Sequence, residues 1–192
     1  MDIVDSVADK NTQRARYRQI RDDFVRNLGD NDRALCFSHI PGLLNMHLQA
    51  GTVLAGYIAK GSEADPSRLL AQAHEQGCQI ALPHVTSKSA PMRFLRWSPG
   101  EPLIAGAFGL MQPDASAEVV RPDVLLVPLV AFDDRLMRLG QGAGHYDRAL
   151  SLLENSFVVG LGWCIQHAAV LPNDPWDIPL DAMLTEKSWI TL

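Results

Sequence analysis

The most nearly continuous apolar run in the chain is DVLLVPLVAF, residues 123–132. Such a run suits a strand buried on both faces, as in the middle of a parallel sheet. Pro128 inside it has no amide hydrogen to give a ladder, so a bulge or an early end is expected there. Shorter apolar stretches at TVLAGYI (52–58), QIALP (79–83), MRFLRW (92–97), FVVGLGW (157–163) and AMLT (182–185) read as further strands. Between them the spacing turns helical. In ADPSRLLAQAHEQG (64–77), Asp65 suits the N-cap, Pro66 the first turn and Gly77 the position past the end. A polar helix is expected over 5–27, and a second helical region over about 31–49, interrupted at Pro41-Gly42. Another helix is expected over about 145–154. Strands alternating with helices predict an α/β fold with three layers, α/β/α. Its sheet is mostly parallel with helices on both faces, and a helical arm leads in from the N-terminus.

Composition narrows the class. A chain of 192 residues with 47% hydrophobic and 20% charged residues buries about 70% of its unfolded surface, enough to fold without disulfide or metal. One domain over residues 1–192 is the expectation. The net charge of −5 argues against nucleic acid or an anionic membrane as partner. No apolar run is long enough to span a bilayer and no apolar leader opens the chain. Cys36, Cys78 and Cys164 form no CxxC pair and suit reduced core positions in a cytoplasmic protein, expected as a monomer. His39, His47, His74, His84 and His167 show no ligand spacing, so zinc is not expected.

The chemistry concentrates in RLGQGAGHYDR, residues 138–148, between the long apolar run and a helical segment. In parallel sheets ligands sit beyond the strands' carboxyl ends, often at a following helix N-terminus. Gly140, Gly142 and Gly144 allow positive φ and let backbone N–H groups approach an anion. Arg138 supplies full charge, whereas Arg148 lies within the expected helix. Asp147 is out of place at a bare anion site and makes sense beside a divalent cation bridging to phosphate oxygens. The spacing is GxGxG, neither the P-loop nor the dinucleotide fingerprint. Taken alone it also fits a flexible strand-to-helix turn.

VPLVAFD (127–133) followed by RLGQGAGHYDR resembles the signature of the 5-formyltetrahydrofolate cyclo-ligases, also called methenyltetrahydrofolate synthetases. Lys10 and Arg14 match a K-x-x-x-R pattern on that family's first helix. YIAKGSEAD (57–65), ALPHV (81–85), FGLMQP (108–113) and PNDPWDIPLDAMLTE (172–186) match further blocks in order. Three positions depart from the pattern: Ala143 and His145 in the loop, and Leu136 where the preceding turn commonly has glycine.

The resemblance implies an enzyme that joins 5-formyltetrahydrofolate and ATP to give 5,10-methenyltetrahydrofolate, ADP and phosphate, with Mg²⁺ as cofactor. It assigns ATP to Lys10, Arg14 and the segment Arg138, Leu139, Gly140, Gln141, Gly142, Ala143, Gly144, His145 and Tyr146. Gln141 to His145 also face the folate, together with Ile58, Glu63 and Phe108. Asp147 and Asp177 hold the metal. Lys10 and Arg14 lie four apart on one helix face, which Arg18 and Arg21 extend. From the residues alone, a solvated helix face, a helix-start charge at Asp147 and a loop cap at Asp177 remain open. A non-catalytic protein that binds nucleotide or folate on the same scaffold is the rival reading.

Overall fold

The computed structural model describes residues 3–87 and 90–192; the side chains of residues 3–8 and of Phe108 lie outside the described set. The helices are α1 (Ile3–Asn27), α2 (Asp30–Leu35), α3 (Gly42–Asn45), α4 (Ser67–Glu75) and α5 (His145–Leu150). The chain's strands are β1 (Val53–Ala55), β2 (Gln79–His84), β3 (Arg93–Arg96), β4 (Ile104–Ala105), β5 (Met111–Gln112), β6 (Val119–Val120) and β7 (Val124–Pro128). They continue with β8 (Ala131–Asp133), β9 (Arg138–Leu139), β10 (Phe157–Leu161), β11 (His167–Ala168), β12 (Ala182–Leu184) and β13 (Trp189–Ile190).

Eight strands form the main sheet in the order β13-β12-β10-β7-β1-β2-β3-β6. The five from β12 to β2 run parallel, and the outer strands β13, β3 and β6 pair antiparallel. Alternate residues of the sheet feed two cores. Leu54, Ile80, Leu82, Leu126 and Val159 face one side, where Leu69, Leu70 and Ala73 of α4 and Leu44 of α3 pack on them. Ala55, Ala81, Leu125, Val127 and Met183 face the other, against Ala149 and Leu150 of α5. Each large apolar side chain so buried contributes about 1.5–3 kcal/mol. The expected three layers are therefore present, with helices on both faces.

Several boundaries differ from expectation. Strand β1 keeps only three residues of the stretch 52–58, because the chain leaves the ladder after Ala55. The helix expected over 64–77 is α4, starting at Ser67, with Asp65 Oδ1 accepting the Ser67 amide at 2.9 Å. The helix expected over about 145–154 ends at Leu150 and turns at Leu152 and Leu153, whose amides bond three residues back. The run 123–132 is two strands. Strand β7 ends at Pro128, and β8 joins β9 and β11 in a small separate sheet. No described helix is long and apolar enough to cross a membrane.

Among the parallel strands the order reverses between β1 and β7: β2 lies on one side of β1, and β10 and β12 lie beyond β7. Such a reversal opens a crevice at the carboxyl ends of the two strands that flank it.

Candidate active site

A cavity of about 930 Å³ occupies that crevice. Tyr57, Ile58, Lys60 and Glu63 reach it from the chain after β1, Pro83 and Val85 from the end of β2, and Pro128 from the end of β7. The segment Arg138–Arg148 forms one wall and α1 contributes Lys10, Asn11, Arg14 and Arg21. The volume falls in the range of small-molecule and cofactor sites.

The turn before the glycine loop is tightly held. Asp133 is 1% exposed, and its carboxylate accepts the amides of Arg135, Met137 and Leu171 at 3.0–3.1 Å and the Arg135 guanidinium at 2.7 Å. Burial raises its pKa, but these bonds outweigh that and hold it below the usual carboxylate value. Leu136 sits at φ 57°, a left-handed conformation natural to glycine, with its side chain 1% exposed. Arg138 is also buried. Its guanidinium donates to the Ile178 carbonyl and to Asp147 Oδ1, each at 2.5 Å. Burial lowers its pKa, against the pull of Asp147 and Asp177, yet a guanidinium stays charged at any ordinary pH.

Beyond Leu139 the loop changes character. Gly142 and Gly144 take φ of 106° and 65°, so backbone amides turn without strain where a side chain would cost. Ala143 is not among the residues with positive φ, and its methyl is tolerated there. Helix α5 then begins with His145, which burial and Arg148 keep neutral at pH 7 by lowering its pKa. Burial raises the Tyr146 phenol well above its ordinary pKa, so it stays protonated.

Two cations of the α1 stripe, Arg14 and Arg18, reach this loop. Arg14 Nε donates to the Gly140 carbonyl at 2.9 Å, and Arg18 Nη2 to the Gln141 carbonyl at 3.2 Å. Arg21, 6% exposed, reaches Ser62 Oγ at 2.9 Å beside Glu63. Lys10, 7% exposed, lies 2.6 Å from both Asp174 Oδ2 and Asp177 Oδ2. Burial alone would lower the Lys10 pKa; the two carboxylates outweigh it and raise it.

Every residue expected to bind ligand lines the cavity except Phe108, whose side chain lies outside the described residues. Thus Lys10, Arg14, Ile58, Glu63, Leu139, Tyr146 and both Asp147 and Asp177 share one space with the glycines. The two aspartates also do structural work: Asp147 pairs with Arg138, and Asp177 Oδ2 accepts the Asp174 amide at 2.8 Å as a loop cap. Asp174 and the exposed Trp176 were not anticipated from the sequence. Their only signal is position, within four residues of chain ending at Asp177. Nothing local marks Asp174 as the partner of a lysine 164 residues away.

Residues 6–186 match the model of the 5-formyltetrahydrofolate cyclo-ligase family. A 5-formyltetrahydrofolate cyclo-ligase of Haemophilus influenzae is 36% identical over 135 residues, covering 66% of this chain and 72% of that relative. The Escherichia coli K12 protein of the same name is 33% identical over 144 residues, with 71% and 79% covered. In the NMR structure of Aquifex aeolicus 5,10-methenyltetrahydrofolate synthetase, 92% of that chain superposes on 95% of this one, with a TM-score of 0.72 and 29% identity. A synthetase of the same name from Mycoplasma pneumoniae shares the fold at a TM-score of 0.70 and 22% identity. The crevice at the strand reversal, its glycine wall and its basic helix thus sit in a chain that belongs to the 5-formyltetrahydrofolate cyclo-ligase family.

Proposed function

We propose that this cavity carries out the ATP-dependent cyclisation of 5-formyltetrahydrofolate to 5,10-methenyltetrahydrofolate, with release of ADP and phosphate. The observation that carries this reading is the meeting of a side-chain-poor loop and the α1 cations on one wall of a cavity whose other wall is apolar and carries Glu63. The family membership and the names of the relatives supply the substrates.

A formamide is a poor electrophile and its oxygen a poor leaving group. Attack of that oxygen on the γ-phosphorus of ATP forms an O–P bond and expels ADP. The N10 amine then attacks the activated carbon, loses its proton, and phosphate departs with the former formyl oxygen. Such transfer depends on position and charge neutralisation, with no protein nucleophile required. The chain's part is to hold the triphosphate with the amides of Gly140–Gly144 and the cations of Lys10 and Arg14, assisted by the buried Arg138. Ile58 presents apolar surface to the pterin, with Phe108 assigned the same task, and Glu63 accepts hydrogen bonds from its polar edge. Neutral His145 and protonated Tyr146 bring flat rings and no charge to the loop.

The donor set also fits Mg²⁺. Asp147 Oδ2 and Asp177 Oδ1 accept no hydrogen bond among the described residues, and both side chains line the cavity. Among the described residues no group of three metal-binding side chains exists, so phosphate oxygens and water would complete the shell of an ion held here. Asp147 and Asp177 would hold it, and once bound it would neutralise charge on the phosphates. Free thiols at Cys36, Cys78 and Cys164 support a cytoplasmic setting. The family match over 6–186 supports one domain, which we take to act as a monomer.

Purified protein given 5-formyltetrahydrofolate, ATP and Mg²⁺ should show rising near-ultraviolet absorbance as the methenyl product forms. No ATP-dependent rise would overturn the proposal. Calorimetric binding of either substrate without turnover would establish the non-catalytic reading in its place.

A further inference from the structure

The side chain of Gln141 points along the cavity wall, and both ends of its amide are engaged. Its oxygen accepts from Arg18 Nε at 3.0 Å and Arg18 Nη2 at 2.7 Å, while its nitrogen donates to Glu63 Oε1 at 3.0 Å. The assignment is unambiguous, because a guanidinium only donates and a carboxylate only accepts. Glutamine is the side chain that answers both neighbours at once.

Glu63 depends on this contact. Its Oε2 is fixed by the Lys60 amide of its own turn at 2.9 Å. Its Oε1 has one hydrogen-bond donor among the described residues, Gln141; Arg21 Nη1 stands at 3.9 Å, an ion-pair distance too long for a hydrogen bond. Arg18 is in turn anchored on α1, one helical turn from Arg14, which holds the loop at Gly140. Arg18, Gln141 and Glu63 therefore form a continuous strut from the helix and loop assigned to nucleotide to the acid assigned to folate.

Resting on the function proposed above, we infer that the Gln141 side chain is a positioning residue for the folate: it orients the Glu63 carboxylate by bracing it against Arg18. It touches neither reacting atom. The loop's backbone at 140–144 serves the triphosphate, while this side chain serves the other substrate.

Steady-state kinetics on the full chain separates the roles. In Gln141→Leu, the KM for 5-formyltetrahydrofolate should rise about fivefold, the loss of a hydrogen bond to a charged group at an exposed site. The KM for ATP, kcat and the melting temperature should stay near wild type. Gln141→Glu keeps size and the Arg18 bond but sets a second carboxylate against Glu63, so its folate KM should rise further still. Equal rises in both KM values, or an unchanged folate KM in Gln141→Leu, would overturn the inference and leave the proposed function standing. Wild-type protein without ATP-dependent turnover would instead sink the proposed function, and the inference with it.

Discussion

Two neighbouring stretches of the site are built on opposite principles. From Asp133 to Arg138, the buried polar side chains are spent on holding the chain: Asp133 gathers three amides and a guanidinium, and Arg138 closes on Asp147 and the Ile178 carbonyl. From Gly140 to Gly144 the residues are mostly exposed, and the loop is tied to α1 by Arg14 at the Gly140 carbonyl and by Arg18 at the Gln141 carbonyl and side-chain oxygen. The first stretch resembles protein interior; the second leaves its amides to meet something else. A residue's chemical type does not reveal which principle applies. Arg138 and Arg14 both belong to the set assigned to ATP, yet the side chain of Arg138 is 3% exposed and its guanidinium already doubly bonded.

Substitutions can pull the two principles apart. The largest effect is expected for Arg138→Met, which keeps apolar volume but strips Asp147 and Ile178 of their donor. Losing one partner of a pair this buried should cost about 3 kcal/mol. At this chain length that is a fall of roughly 6–12 °C in melting temperature, read by calorimetry. A melting temperature within a degree or two of wild type would erase the distinction between the stretches. Leu136→Gly comes next. Glycine relieves about 1 kcal/mol of left-handed strain but forfeits a buried leucine worth about 3 kcal/mol or more. The net loss should be about 2 kcal/mol in denaturant unfolding, with both KM values unchanged; a gain in stability would mean the strain dominates. Arg14→Ala should act the other way round. The KM for ATP should rise about tenfold, a loss of about 1.4 kcal/mol, with little change in the folate KM or the melting point. Equal rises in both KM values would remove the assignment of Arg14 to the nucleotide.

What could be read from the sequence follows from the range of the forces involved. The break in residues 123–132 was legible because proline's missing donor is a local property of Pro128 itself. The parallel core strands were legible because short, nearly all-apolar runs mark strands buried on both faces, and the first helix because residues 5–27 form a long polar stretch with no glycine or proline to break it. The small sheet of β8, β9 and β11 was not, since strands of two or three residues carry no period. In the site, the glycines and the α1 stripe were located by their likeness to a family signature; GxGxG alone would have served a plain turn as well. Asp174 escaped because its contact with Lys10 exists only after the fold has brought together positions 164 residues apart. The strut through Gln141 escaped for the same reason, its partners lying 123 and 78 residues away. Leu136 was noticed as an odd residue in its turn, and its φ of 57° gives that oddity a backbone cause.

Pro128 has a reach well beyond its own ring. Strand β1 stops pairing with β7 at Ala55–Leu125, and β10 accompanies β7 only as far as Leu161–Pro128. A nitrogen without hydrogen cannot extend the ladder, so the backbone swings out of the sheet where the crevice needs width and begins the short strands that lead to the glycines. The doorway of the cavity is in this sense framed by a single absent proton.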